Sequence, residues 1–270
     1  MAKRFDPQPI EMLEDGLSLL RRGPVAAHAY YLAGVLPFLL LLLQFCCELS
    51  YTRFSQAALP GWALALACGY VWMKGLQAVS SQVFLAAIRG QRFSFRFSEC
   101  LRLICAQALI QPFGLLLRPA CALLVLPSAT TDAFFHNATI GLTGHQGDWA
   151  RCMRFSRSGF THHFAFSALT LLLRFFVFIN LLAVFYIVPR LLKHLFGIES
   201  LSAEGKVPIL SWPVFITAAL FAYFAIDILI KASFVIRFHQ LESRSSGSDI
   251  LLEWQQLQLR DASGLAHHVQ

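Results

Sequence analysis

Residues 25–47 are VAAHAYYLAGVLPFLLLLLQFCC, a run without a single Asp, Glu, Lys or Arg. A bilayer core about 30 Å thick is crossed by roughly 20 mainly apolar residues in an α-helix, so this run is long enough to cross once. Further apolar runs of comparable length follow at residues 59–88, 103–141, 160–188 and 209–238. The repetition predicts an all-α fold, a polytopic transmembrane helix bundle with five to six crossings and amphipathic surface helices at both ends.

The composition excludes an ordinary soluble domain. Apolar residues make up 57% of the chain, charged residues 14%, and the mean hydropathy is +0.59, whereas soluble domains carry about 25% charged residues. The net charge of +7 comes from Lys and Arg concentrated in short segments between the apolar runs. That pattern is typical of topology signals that face anionic lipid headgroups, so we expect the lipid bilayer and no nucleic acid as partner.

Three segments are predicted along the chain. Residues 1–24 form an N-terminal amphipathic surface helix, because Ile10, Leu13, Leu17 and Leu20 share one helical stripe and Gly23-Pro24 ends it. Residues 25–240 form the transmembrane helix bundle. Residues 241–270 form a linker and a short cytoplasmic tail helix, whose apolar stripe is Ile250, Leu251, Trp254 and Leu257.

The run at residues 103–141 leaves the topology open. It is too long for one crossing, and Pro112, Pro119 and Pro127 interrupt its helix pattern. It forms either one long broken span, giving five crossings, or a tight hairpin, giving six. The positive-inside rule favours the hairpin, since it places more Lys and Arg on one side and both termini in the cytoplasm.

Ionisable residues inside apolar runs are the most informative feature, because each costs a few kcal/mol at the bilayer centre unless it is paired or hydrated. Asp227 and Lys231 are four residues apart and can pair along one helix face. In one interpretation this pair only cancels its own cost; in the other it meets Asp132 or Arg174 and lines a polar cavity. The candidate polar core is therefore Lys74, Asp132, Arg174, Asp227 and Lys231.

Counting Arg118, this interior has more basic than acidic side chains. An excess of positive charge suits an anionic substrate or a lipid phosphate. The inference fails if Lys74 and Arg118 instead extend their charged ends to the membrane surface.

No motif predicts catalysis or a cofactor. The chain lacks HExxH, GxSxG, P-loop and GxGxxG patterns, and its seven cysteines form no CxxC pair. Asp132, His136 and the pair His162-His163 are a weak metal candidate, since Thr and Asn neighbours satisfy Asp132 equally well. We therefore predict no catalytic, cofactor-binding or metal-binding residues.

Residues 149–159, WARCMRFSRSG, resemble the membrane domain found fused to glycerophosphodiester phosphodiesterases. The wider layout is similar to an uncharacterised group of bacterial multi-pass inner-membrane proteins. The matching features are Trp72-Met-Lys74, Gln111-Pro112, Asn137, and the ending Asp227-x-x-x-Lys231-Ala-x-x-Val-x-Arg237 with Gly247-x-Asp249. Proteins of that group tend to be encoded beside membrane-anchored transglutaminase-like proteins, which implies a partner in an envelope complex, and the group supplies no catalytic residues.

Three functions follow as expectations. The first is a non-enzymatic scaffold or assembly subunit of a bacterial envelope complex in the inner (cytoplasmic) membrane, with another membrane protein of that complex as its partner. The second is a transporter or channel for a small solute or lipid, using the intramembrane charges. The third is a membrane-embedded enzyme built on Asp132, His136 and the His162-His163 pair.

Overall fold

The computed structural model describes residues 8–51, 59–91, 93, 96–143, 148–197 and 212–247. Within these ranges the chain forms helices and no strand, as the sequence predicts. The predicted tail helix beyond residue 249 and most of the loop that follows Gly197 lie outside the described residues. The helices are α1 (Pro9–Arg22), α2 (Val25–Tyr51), α3 (Leu59–Ile88), α4 (Phe97–Ala122), α5 (Val125–Gly141), α6 (Asp148–Arg157), α7 (Phe160–Phe196) and α8 (Trp212–Ser246).

Four helices of the described part are long and apolar enough to cross a membrane, namely α2, α4, α7 and α8. Helix α3 is also long, but it carries Lys74, Gln77, Ser80 and Ser81, which lower its hydropathy. All four of these side chains are buried inside the bundle. The polar residues of α3 therefore face other helices rather than the lipid.

Helices α2 and α3 form an antiparallel pair along most of their length. The Ser80 hydroxyl donates to the carbonyl of Ala27 at 2.8 Å, and the Trp72 indole donates to the carbonyl of Ala33 at 3.2 Å. Gly34 allows close approach, since a Cβ there would lie 3.0 Å from Leu76 Cβ. These contacts place α3 beside α2 from one end of the bundle to the other.

The 103–141 run folds back on itself. The Gln107 amide donates to the carbonyl of Ala138 at 3.0 Å, and the Gln111 amide donates to Thr139 Oγ1 at 3.1 Å. Helices α4 and α5 are therefore antiparallel, and the turn lies at residues 123–124. Pro112 and Pro119 do not end the helix, since both lie inside α4.

Two helices are longer than their apolar runs. Helix α7 continues through Pro189 to Phe196, beyond the run that ends at residue 188, and α8 continues to Ser246, beyond the run that ends at residue 238. A proline removes one backbone donor and kinks a helix without always ending it. The polar residues 241–246 extend the last turns of α8, where Ser245 and Ser246 hydroxyls bond carbonyls three residues earlier.

One end of the bundle carries most of its described arginines, and we name it the basic end. Arg151 joins three helices there: its guanidinium bonds Asp148 Oδ1 at 3.0 Å, Glu242 Oε1 at 3.1 Å and the carbonyl of Gly141 at 3.2 Å. Arg89 at the end of α3 also pairs with Glu242. The ends of α3, α5 and α8 therefore meet α6 at this end. The basic end comprises Arg89, Arg96, Arg102, Arg151, Arg154, Arg157 and Arg244.

Helix α1 lies within the predicted segment 1–24, ends just before Gly23-Pro24, and packs against α8 and α7. Met12 and Gly16 are buried, and a Cβ at Gly16 would collide with the Ser233 side chain of α8. The Arg237 guanidinium contacts the Met12 sulfur at 3.7 Å. The inner face of α1 is therefore held by the bundle, and its predicted position on the membrane surface stays a prediction.

Candidate functional site in the helix bundle

The carboxylate of Asp227 is the centre of a buried polar network. Only 2% of the residue is exposed, and its Oδ2 accepts hydrogen bonds from the Tyr31 hydroxyl at 3.0 Å and from Gln77 Nε2 at 3.1 Å. Lys231, one turn further along α8, brings its Nζ to 3.9 Å from the same oxygen. Helices α2, α3 and α8 thus each supply a partner to one carboxylate, which offsets the cost of burying it.

Gln77 connects Lys74 to this carboxylate. Lys74 Nζ donates to Gln77 Oε1 at 3.2 Å and lies 5.6 Å from the centroid of the Tyr70 ring. An amide side chain both accepts and donates, so Gln77 receives a bond from the ammonium and gives one to Asp227. Lys74 is 4% exposed and does not extend to the bundle surface. We call Tyr31, Lys74, Gln77, Asp227 and Lys231 the buried polar core.

A second group of charges lies on the α4–α5 hairpin. Arg118 Nε is 3.4 Å from Asp132 Oδ1, and His136 Nε2 is 3.6 Å from Asp132 Oδ2. The guanidinium also stands over the Phe135 ring, 5.2 Å from its centroid. Unlike Asp227, the Asp132 side chain is 40% exposed. We call Arg118, Asp132 and His136 the hairpin cluster. Its carboxylate is partly exposed, whereas the carboxylate of the buried polar core is buried.

Arg174 on α7 lies beside both groups. Its guanidinium stacks over the Tyr223 ring at 4.6 Å from the centroid. Its positive charge interacts electrostatically with Asp132, Asp227 and Lys231. Four basic side chains therefore share this interior with two carboxylates, so the formal charge is positive, as the sequence predicts.

The structure thus places all five predicted core residues in one region and groups them unequally. Lys74, Asp227 and Lys231 share the buried polar core, Asp132 belongs to the hairpin cluster, and Arg174 approaches both. Sequence reasoning missed Tyr31 and Gln77, which supply the neutral hydrogen bonds to Asp227. Gln77 had a detectable signal, because it follows Lys74 by three residues inside an apolar run.

The candidate metal residues do not form a recognisable metal centre. Phe234 lies between two of the histidines, stacked 4.7 Å from His136 and 6.0 Å from His163, measured between ring centroids. Across the described ranges, no group of three His, Cys, Asp or Glu side chains is arranged to hold a metal ion. Asp132 and His136 contact each other one turn apart on α5.

Helix α6 carries three arginines, and their side chains lie in different surroundings. Arg151 points inward to Asp148, Glu242 and the Phe238 ring, 5.4 Å from its centroid. Arg154 and Arg157 are exposed. Arg151 therefore holds α6 against the bundle, whereas Arg154 and Arg157 are exposed on its surface.

Comparisons with known proteins return no match, since no family model, no curated protein and no solved structure is similar to this chain.

Proposed function

We propose that the chain is a multi-pass protein of the bacterial inner membrane with six crossings, counting α2, α3, α4, α5, α7 and α8. The antiparallel pairs α2–α3 and α4–α5 support this number, because each returns the chain to the basic end. Helix α5 has 17 residues, at the lower limit for a crossing. The positive-inside rule then puts the basic end, with the start of α1 and the end of α8, in the cytoplasm.

We further propose that the protein is a non-enzymatic scaffold or assembly subunit of an envelope complex. The observation that carries this proposal is the closed bonding of Asp227, whose partners come from α2, α3 and α8. A network that bonds its own members stabilises one arrangement of helices and leaves little capacity for a substrate. Arg151 extends the same principle to the basic end, where it fixes α6 against α5 and α8.

Helix α7 is the part of the bundle best suited to a partner inside the membrane. Its most apolar 18-residue window contributes no buried residue to the bundle. Phe175, Phe176 and Ile179 are each about half exposed on this window. The resemblance described above suggests a membrane-anchored transglutaminase-like protein as the first partner to test.

The test is affinity purification of the full chain from native membranes in mild detergent, with quantitative mass spectrometry of what accompanies it. We expect one membrane protein to co-purify in near-stoichiometric amount in every replicate, and Ile179→Asn to reduce it at least fivefold. Leu40→Asn, on the exposed face of α2, is the matched control and leaves recovery unchanged. Recovery of this chain alone in repeated experiments would contradict the proposal.

The hairpin cluster favours a second candidate, transport of a small anion. Asp132 is 40% exposed beside Arg118, and Arg174 adds positive charge nearby. Chloride or phosphate flux into proteoliposomes tests this candidate directly. Anion flux that is abolished by Arg118→Gln and by Arg174→Gln would support transport. If vesicles with the unaltered protein take up these anions no faster than empty vesicles, transport of these anions is excluded.

A further inference from the structure

A concave groove of about 770 Å³ lies between α4, α5 and α6, away from the buried polar core. Its walls are largely apolar: Leu109, Phe113 and Leu117 on α4, Phe134 on α5, and Trp149 and Met153 on α6. Protein sites that bind small molecules have volumes of about 300–1,000 Å³. The groove is thus large enough for an extended apolar ligand, rather than a gap between side chains.

The groove also carries a positive charge. Arg157, the last residue of α6, is the only charged side chain among the described residues that line it. It follows Trp149 and Met153 at intervals of eight and four residues, so the three share one face of α6. Arg157 is exposed, and no carboxylate in the described ranges pairs with it, in contrast to Arg151. Its guanidinium is available to a ligand in the groove.

The groups that line the groove match the chemical parts of an anionic membrane lipid. An Arg guanidinium binds a phosphate through two parallel hydrogen bonds. Tryptophan is enriched where the headgroup meets the hydrocarbon, and basic pockets on the cytoplasmic side bind anionic headgroups. The lining supplies each kind of group: Arg157 for the phosphate, Trp149 for the headgroup boundary, and a Leu and Phe wall for the acyl chains. A neutral hydrocarbon would give Arg157 no anion to bind, and a free phosphate would leave the apolar wall without an apolar ligand.

We propose that this groove binds one anionic glycerophospholipid, with acyl chains along the α4–α5 wall and the headgroup phosphate on Arg157. The site belongs to the basic end, which the proposed topology puts in the cytoplasm, so the lipid comes from the cytoplasmic leaflet. This inference does not depend on the scaffold role, since it concerns a different face of the protein.

Native mass spectrometry of the delipidated full chain tests the proposal by titration with phosphatidylglycerol and phosphatidylcholine. We expect one phosphatidylglycerol to bind about tenfold more tightly than phosphatidylcholine. Arg157→Gln should remove that preference, whereas Arg154→Gln, which takes the same charge from an exposed position outside the lining, should preserve it. Equal affinity for the two lipids in the unaltered protein, or equal effects of the two substitutions, would overturn the headgroup assignment.

A steric test locates the acyl chains. Thr131→Phe places a ring in the groove and should weaken both lipids at least fivefold, while Leu116→Phe, on α4 outside the lining, should leave both unchanged. Leu109→Trp serves the same purpose at a side chain that is already 73% exposed, so it tests the groove even if Thr131→Phe fails to fold. Undiminished binding to a folded variant with the groove filled would place the lipid elsewhere and refute the proposal.

Discussion

Gln77 Nε2 donates a hydrogen bond of 3.1 Å to Asp227 Oδ2, joining α3 to α8 across 150 positions of sequence. The same amide accepts from Lys74 at 3.2 Å. A single neutral side chain therefore connects a cation and an anion that do not touch directly. This connection makes the buried polar core one unit rather than a collection of separate charges.

Substituting Gln77 tests whether that unit stabilises the bundle. Gln77→Met keeps the approximate side-chain volume and removes both hydrogen bonds, leaving Lys74 with a missing acceptor and Asp227 with a missing donor. We expect a loss of about 1–3 kcal/mol in the free energy of unfolding, since buried polar groups are left unsatisfied. Titration with SDS measures this loss. Gln44→Met, at an exposed position bonded to Glu48, is the control and should cost little; equal losses would show that Gln77 is not special.

The pair Asp227–Lys231 should display strong coupling. Removing one member of a buried ion pair costs about 3–5 kcal/mol, because the other charge is left uncompensated. We therefore expect Asp227→Asn to destabilise the protein more than the double variant Asp227→Asn/Lys231→Met. A double-mutant cycle on the free energy of unfolding measures the coupling. Additive effects, like those expected for the exposed pair Arg96–Glu99, would be inconsistent with the arrangement described.

The packing of α1 depends on a small residue at position 16. A Cβ at Gly16 would meet the Ser233 side chain and lie 3.1 Å from its backbone nitrogen. Gly16→Ala should therefore loosen α1 and accelerate proteolysis between α1 and α2, and adding Ser233→Ala should partly restore protection. Gly61→Ala, where no atom of the described residues lies within 4 Å of the added Cβ, should have no effect. If Gly16→Ala is cut no faster than the unaltered protein, α1 does not pack as described.

Arg151 should control access to Cys152. Burial raises the pKa of the Cys152 thiol to about 12, so the thiol stays protonated and slow to alkylate at pH 8. When α6 detaches, the pKa falls back toward its ordinary value and the reactive thiolate fraction rises. In a variant whose remaining cysteine is Cys152, we expect Arg151→Gln to accelerate maleimide labelling at pH 8 by about tenfold.

Arg154→Gln is the control for that labelling experiment, because Arg154 is exposed while Arg151 bonds Asp148, Glu242 and Gly141. Its labelling rate should equal that of the unaltered protein. Equal acceleration by the two substitutions would mean that net charge, and not the bonds of Arg151, sets access to Cys152.

The helical class and the approximate helix positions were predictable. In a bilayer, a run such as residues 25–47 can satisfy its own backbone hydrogen bonds only as a helix. The spacing of Asp227 and Lys231 also limited their geometry, since both lie on one helix face. These are local properties, which the sequence carries within a single element.

The contacts between helices were not predictable in the same way. Tyr31 and Gln77 meet Asp227 only through the rotation of α2 and α3 about their axes, and no spacing within one helix specifies that rotation. The sequence favoured a hairpin in the 103–141 run but did not locate its turn, which lies at residues 123–124, while Pro112 and Pro119 lie inside α4. Proline positions indicate where a membrane helix can bend, and packing decides where it turns.

The most direct test of the proposed topology is labelling of single cysteines in intact and permeabilised bacterial cells. In a background without native cysteines, Arg96→Cys, Arg154→Cys and Arg244→Cys report on the basic end, and Lys193→Cys reports on the far end of α7. With a hairpin of two crossings, the first three should react with an impermeant maleimide only after permeabilisation, and Lys193→Cys should react in intact cells. Labelling of Arg154→Cys from the side opposite to Arg96→Cys would contradict the hairpin and the six-crossing bundle.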